Sequence, residues 1–71
     1  PNPLKNSFTT SLENPQNYSC MLYDLNGRLI GNLNLEGNYY LVPALQAGLY
    51  IVVFENLKSA EIVIKKIIIE E

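Results

Sequence analysis

The 71-residue sequence holds no histidine, a single cysteine, and five basic residues against seven acidic ones. Each shortage removes a class of function. Without imidazole the commonest general base is missing, and no nucleophile is paired with an alternative one, so the chain does not read as an enzyme. One cysteine, Cys20, excludes an internal disulfide and leaves the redox compartment open. A net charge of −2 provides no basic footprint for nucleic acid. No run of about 20 apolar residues is present, so no transmembrane segment is expected. An initiator methionine and a charged-then-apolar leader are also missing, which leads us to expect a piece of a longer protein.

What is present is apolar and alternating. Apolar residues make up 48% of the chain. A fold of this size buries only about 60% of the surface its unfolded chain exposes, so every apolar strand position counts. Pro1-Asn2-Pro3 reads as the end of a linker over residues 1–6, because two prolines keep the backbone extended and withhold amide donors. Residues 7–71 read as the domain. Ser7 to Leu12 alternates, with Phe8, Thr10 and Leu12 on one side, as a first strand. Glu13 to Asn17 is a polar, proline-containing loop. Tyr18 to Tyr23 is a second strand with Tyr18, Cys20 and Leu22 on one face. Asp24-Leu25-Asn26-Gly27 is the clearest turn: the Asp24 carboxylate suits bonding to the backbone ahead, and Gly27 suits a left-handed position before a bulge. Arg28 to Leu35 is expected to return as a third strand. Glu36-Gly37-Asn38 turns the chain into a short fourth strand, Tyr39 to Val42, which Pro43 ends.

The next stretch, Leu45-Gln46-Ala47-Gly48-Leu49-Tyr50, reads as a corner. Gly48 lets the chain turn, and Tyr50 is placed to send its hydroxyl back to the upstream backbone while its ring enters the core. Leu49 to Phe54 is apolar on both faces. With Tyr50, Val52 and Phe54 inward, Leu49, Ile51 and Val53 point out, and Tyr39 and Leu41 are expected to join them from a neighbouring strand. Such a patch is more apolar than a small monomer usually exposes. Either it docks on the parent protein, a second copy or a receptor, or a long loop or the terminal strand covers it. If Ile62 and Ile64 of Ala60 to Ile69 face inward, Ile67 and Ile69 join them only through a one-residue slip at Lys65-Lys66, by a bulge or by a crossing from one sheet to the other. A helix competes for this tail, but β-branched side chains disfavour it. Six or seven short strands with regular turns make an all-β antiparallel sandwich.

Little chemistry is on offer. Cys20 on a core-facing position lacks the exposed, electropositive setting of a reactive thiolate. Asp24-Leu25-Asn26-Gly27 lacks the alternating oxygen ligands of a calcium loop, so we expect no metal and no cofactor. Tyr18, Tyr23 and Tyr39 are available for stacking on sugars, which keeps a carbohydrate-binding or adhesion module as an alternative. A homodimer through the Ile51 face is another.

Four features in this order and spacing resemble a known family. They are the opening Asn2-Pro3, the hairpin Leu22 to Arg28, the corner Leu45 to Val52, and a lysine-bearing terminal strand. Together they resemble the C-terminal sorting domain (type A) of the type IX, or Por, secretion system of Bacteroidetes. The resemblance implies an immunoglobulin-like β-sandwich at the end of a cargo protein. It also implies recognition by the outer-membrane translocon after passage through the periplasm, removal by a sortase in most members, and a final location on the outer-membrane surface or outside the cell. Carried over by position, Gly27 and Arg28 fill the hairpin, Gly48 and Tyr50 the corner, and Lys66 the lysine of the last strand, with Lys65 a competing match. Asp24, Gly27, Leu45, Gly48 and Tyr50 have structural readings. Arg28, Lys65 and Lys66, with Leu49, Ile51 and Val53, are the candidates for recognition, since an exposed cation adds little to stability by itself. The ending Ile69-Glu70-Glu71 departs from the family, many of whose members end on a basic residue.

Overall fold

The aromatic and apolar residues of Tyr18 to Tyr23 and a run of β-branched and aromatic residues after Gly48 give the chain two strands that seed one sheet. The computed structural model describes residues 7–70; the linker reading of residues 1–6 and the last residue of the expected domain lie outside them. The strands are β1 Ser7–Thr9, β2 Tyr18–Tyr23, β3 Leu29–Asn32, β4 Leu35–Glu36, β5 Tyr39–Leu41, β6 Gly48–Asn56 and β7 Ile62–Ile69. They form two antiparallel sheets, in the orders β3-β2-β6-β7 and β1-β5-β4. The all-β sandwich is therefore as expected, and the isoleucine-rich tail is strand. The one helical piece among the described residues is a 3-10 turn, Pro15–Asn17, inside the expected loop.

The core lies between the sheets. Cys20 and Leu22 from β2, Val52 and Phe54 from β6, Tyr40 from β5, Ile69 from β7, and Leu33 and Val42 from the connections are buried. Tyr40 ties the layers together: its ring stacks on Phe8 at 5.2 Å and meets the Phe54 ring edge-on at 5.8 Å. Such aromatic pairs add about 0.5–1.5 kcal/mol beyond their burial. The Tyr40 hydroxyl is buried without a hydrogen-bond partner. An orphaned buried hydroxyl costs free energy that a phenyl ring does not. Tyr40→Phe is therefore expected to keep the fold and leave stability unchanged or higher by about 1 kcal/mol, read from the urea midpoint. A clear loss would show that the hydroxyl is satisfied in solution.

Besides β1, which stops at Thr9 instead of running on to Leu12, three expectations need correction. The third strand does not run from Arg28 to Leu35. It starts at Leu29 and stops at Asn32, after which the Leu33 amide still donates to the Cys20 carbonyl at 2.8 Å while the Leu33 side chain is buried. Two asparagines, poor strand formers, flank this inward step, and the chain resumes in the other sheet, where Leu35 pairs with Tyr40. Gly37, at φ +67, opens the two-residue turn that follows.

The second correction follows from the first. Tyr39 and Leu41 sit in the three-stranded sheet, so they cannot extend the outer face of β6. The third concerns β7, which has no slip. Its register with β6 runs unbroken from Glu55↔Ile62 to Gly48↔Ile69. Directly paired residues share a face, so Val63, Lys65, Ile67 and Ile69 lie on the inward side, with Ile62, Ile64, Lys66 and Ile68 outward. A lysine can occupy an inward position here because β7 is the sheet edge. The Lys65 side chain is exposed beside the rim formed by Phe8, Thr9, Thr10 and Ser11, where its stem can lie along apolar surface while its charge stays wet.

Candidate functional site

The outer face of the four-stranded sheet collects apolar residues in cross-strand rows. Leu49 pairs with Ile68; Ile51 lies between Tyr23 and Lys66; Val53 lies between Met21 and Ile64. Leu29 extends the Ile51 row on β3. On β7, Ile62 is 55% exposed, Ile64 64% and Ile68 71%. Four strands and the seven positions from Leu49 to Glu55 span roughly 14 by 20 Å. That is comparable with the largest apolar patch of an ordinary monomer, carried here by a much smaller chain. Among the described residues no strand packs over it: the three-stranded sheet lies across the core, on its other side.

The candidates chosen from sequence fall into three groups. Leu49, Ile51, Val53 and Lys66 are brought together on this face, with the lysine directly opposite Ile51. Lys65 is on the other side of the same strand, opposite Val52. Arg28 is at the far margin, beyond Leu29. Met21, Leu29, Ile62, Ile64 and Ile68 also belong to the face, as does Tyr23, which the sequence offers only for stacking; only the pairing register shows that they share it.

Arg28 is held by its own turn. The Asp24 carboxylate accepts from the Asn26 and Arg28 amides, each at 2.9 Å, and the Arg28 Nε donates to its second oxygen at 3.3 Å. Gly27, at φ +84, donates to the Asp24 carbonyl at 3.1 Å. β3 then carries an extra residue against β2, the bulge expected after such a turn. The Asp24 carboxyl is held below the usual carboxylate range, chiefly by the Arg28 amide. Arg28 thus has a structural role in the hairpin while its side chain remains 83% exposed.

The corner also takes the expected form. The Tyr50 hydroxyl donates to the Gln46 carbonyl at 2.8 Å, closing the chain on itself, and Leu45 packs against the core beside it. This hydrogen bond is at the surface, and the Tyr50 ring is half-buried, so the residue fastens the corner from outside rather than satisfying a buried group. Gly48, at φ +155, adopts a backbone conformation other residues rarely take.

The remaining chemistry-bearing side chains are scattered. The Tyr18 hydroxyl donates to Glu61 at 3.4 Å, Tyr23 lies on the outer face against Met21, and Tyr39 is on the other sheet, so the three do not form one stacking platform. Burial pushes the Cys20 thiol up to about 12. An unfolded thiol ionises near 9.0, so the fold favours the neutral form. Its contribution to stability is complete below that pH and is lost as pH rises toward about 12. We expect the native protein to resist alkylation at neutral pH and its denaturation midpoint to fall from pH 9.0 upward. Rapid labelling of the folded protein would contradict this. No helix among the described residues is long and apolar enough to cross a membrane.

No curated protein matches the chain. The family description of a secretion system C-terminal sorting domain matches residues 1–70. An all-β sandwich with its hairpin and corner in the expected places, matched over nearly its whole length, belongs to the secretion system C-terminal sorting domains, the type IX signals that direct export across the outer membrane.

Proposed function

We propose that this domain works as a folded address. After its parent protein reaches the periplasm, a component of the outer-membrane translocon docks on the outer face of β3-β2-β6-β7, and the sortase of the machinery then removes the domain. The domain performs no catalysis of its own. The observation that carries this reading is the exposure of Ile62, Ile64 and Ile68 beside Leu49, Ile51 and Val53 on one flat surface. Covering its apolar part stabilises a complex by roughly 25 cal/mol per Å² before the costs of association, enough to drive recognition without any reactive group. Lys66 within the face and Arg28 at its margin supply charges that orient a partner more than they hold it.

A reporter fused upstream of residues 1–71 in a type IX-competent bacterium tests the address. Export with the intact domain and periplasmic accumulation without it are expected; equal export of a passenger lacking the domain sinks the reading. The exported passenger should have lost the domain's mass, and its persistence there would remove the sortase step. The same exposed isoleucines support a homodimer through this face as a second reading.

A further inference from the structure

The sandwich is open on the side where the chain crosses from one sheet to the other. β3 stops at Asn32 and β4 has only two residues, so the step Asn32-Leu33-Asn34 and the 3-10 turn Pro15–Asn17 border a gap beside the start of β2. The gap is a cleft of about 480 Å³. Small-molecule sites run from roughly 300 to 1,000 Å³. Its inner wall includes Tyr40 of the three-stranded sheet and the inward-facing Cys20, so it lies on the core side of β2 and away from the outer apolar face.

Tyr40 is the residue that points to a ligand. It is 1% exposed, lines this cleft, and has a hydroxyl with no hydrogen-bond partner. Phe8 and Phe54 already hold its ring, so a phenylalanine would pack as well without the orphaned oxygen. A buried polar group left unsatisfied by its own chain calls for a partner from outside it. The side chains at the border of the cleft are in the same condition. Gln16 and Asn34 are exposed there, and among the described residues neither side chain has a hydrogen-bond partner.

The lining also selects the class of ligand. It includes no Lys, Arg, Asp or Glu, and the Cys20 thiol within it stays protonated. An ion entering the cleft would lose hydration without meeting a compensating charge. A wholly apolar guest would leave the Tyr40 hydroxyl as unpaired as before. What fits is an uncharged molecule with several hydroxyls on an apolar frame. Its hydroxyls can exchange hydrogen bonds with the phenol and with the amides of Gln16 and Asn34, while its C–H faces lie on the half-buried Pro15, Tyr18 and Leu35. We propose that this cleft binds a neutral saccharide unit, free or as the terminal residue of a glycan, with the Tyr40 hydroxyl as its innermost hydrogen-bonding group.

Titrating the full chain with sugars while following its amide chemical shifts by NMR tests this. The probes are glucose, galactose, mannose and N-acetylglucosamine with their methyl glycosides, glucuronate as an acidic counterpart, and N-acetylglycinamide as a peptide-like one. At least one neutral sugar is expected to give saturable shifts at Gln16, Leu33 and Asn34, and glucuronate to bind more weakly. Equal binding of the methyl glycoside supports the terminal residue of a glycan, and binding of the free sugar alone supports a monosaccharide. Tyr40→Phe, expected to fold at least as stably, should weaken binding roughly three- to tenfold through the loss of one neutral hydrogen bond. Asn34→Ala, at an exposed position between strands, should do the same and keeps the test decisive if the Tyr40 variant fails to fold. The absence of saturable shifts with every neutral sugar at high millimolar concentration overturns the proposal. So does undiminished binding by the folded variants, or glucuronate binding as well as the neutral sugars. Tighter binding of N-acetylglycinamide would overturn it in favour of a peptide site, and shifts confined to Leu49, Ile51, Val53 and Ile64 in favour of the outer face. Ile64→Lys leaves the cleft lining in place, so failure of the docking reading and failure of this one are separable.

Discussion

Phe54→Ala is expected to leave little folded domain. Phe54 is 1% exposed and meets the Tyr40 ring edge-on at 5.8 Å, and Tyr40 in turn stacks on Phe8. Removing the ring empties the place where β6 of one sheet meets β5 and β1 of the other. Truncations of this kind cost about 3–5 kcal/mol. A chain of this length has a total stability of roughly 4–11 kcal/mol, so the loss is a large fraction of what exists. Little nearby can close the gap, because the three-stranded sheet opposite is made of strands of three, three and two residues. Urea unfolding followed by circular dichroism should show a midpoint shifted far toward zero or no transition. The same substitution in the reporter fusion separates a folded address from a linear one. Loss of export with loss of fold supports recognition of a surface, whereas full export of a passenger carrying an unfolded domain ends that reading.

Local signals were legible in the sequence and non-local ones were not. The span of Tyr18–Tyr23 follows from the turn signals that flank it, and the Asp24 to Gly27 turn from residue chemistry that acts within four positions. The Tyr50 corner was legible for the same reason, since its hydroxyl reaches back only to Gln46. Sheet membership was not. Whether Tyr39–Leu41 lies beside β6 or across the core depends on where the chain leaves the first sheet, and Asn32-Leu33-Asn34 marks that step only once Leu33 is known to be buried. The tail was misread because apolar was equated with inward. Ile62 and Ile64 face solvent while Lys65 takes an inward position, an arrangement that an edge strand permits and a central one does not. That reversal is what creates most of the candidate docking face, and periodicity alone could not have found it.

Ile64→Lys is expected to lower export by an order of magnitude or more while leaving the fold intact. Ile64 is 64% exposed, so a lysine there loses little burial, and surface substitutions of this kind usually stay within about 0.5 kcal/mol. Its cross-strand partner Val53 is apolar and half-buried, and no core residue leans on it. At a docked interface the same change is expensive, because an ammonium replaces an apolar anchor and must be desolvated without a partner charge. A penalty of only about 1.4 kcal/mol already gives tenfold weaker binding. Ile51, the residue that sequence alone nominates, is the poorer probe. It is half-buried and pairs directly with Lys66, so Ile51→Lys sets two ammonium groups side by side and confounds stability with docking. Leu57→Lys provides the matched control: Leu57 is 68% exposed but sits in the turn between β6 and β7, outside the cross-strand rows. With stability equal in both variants, export should fall for Ile64→Lys and persist for Leu57→Lys. Equal export of the two would show that the translocon reads some other surface.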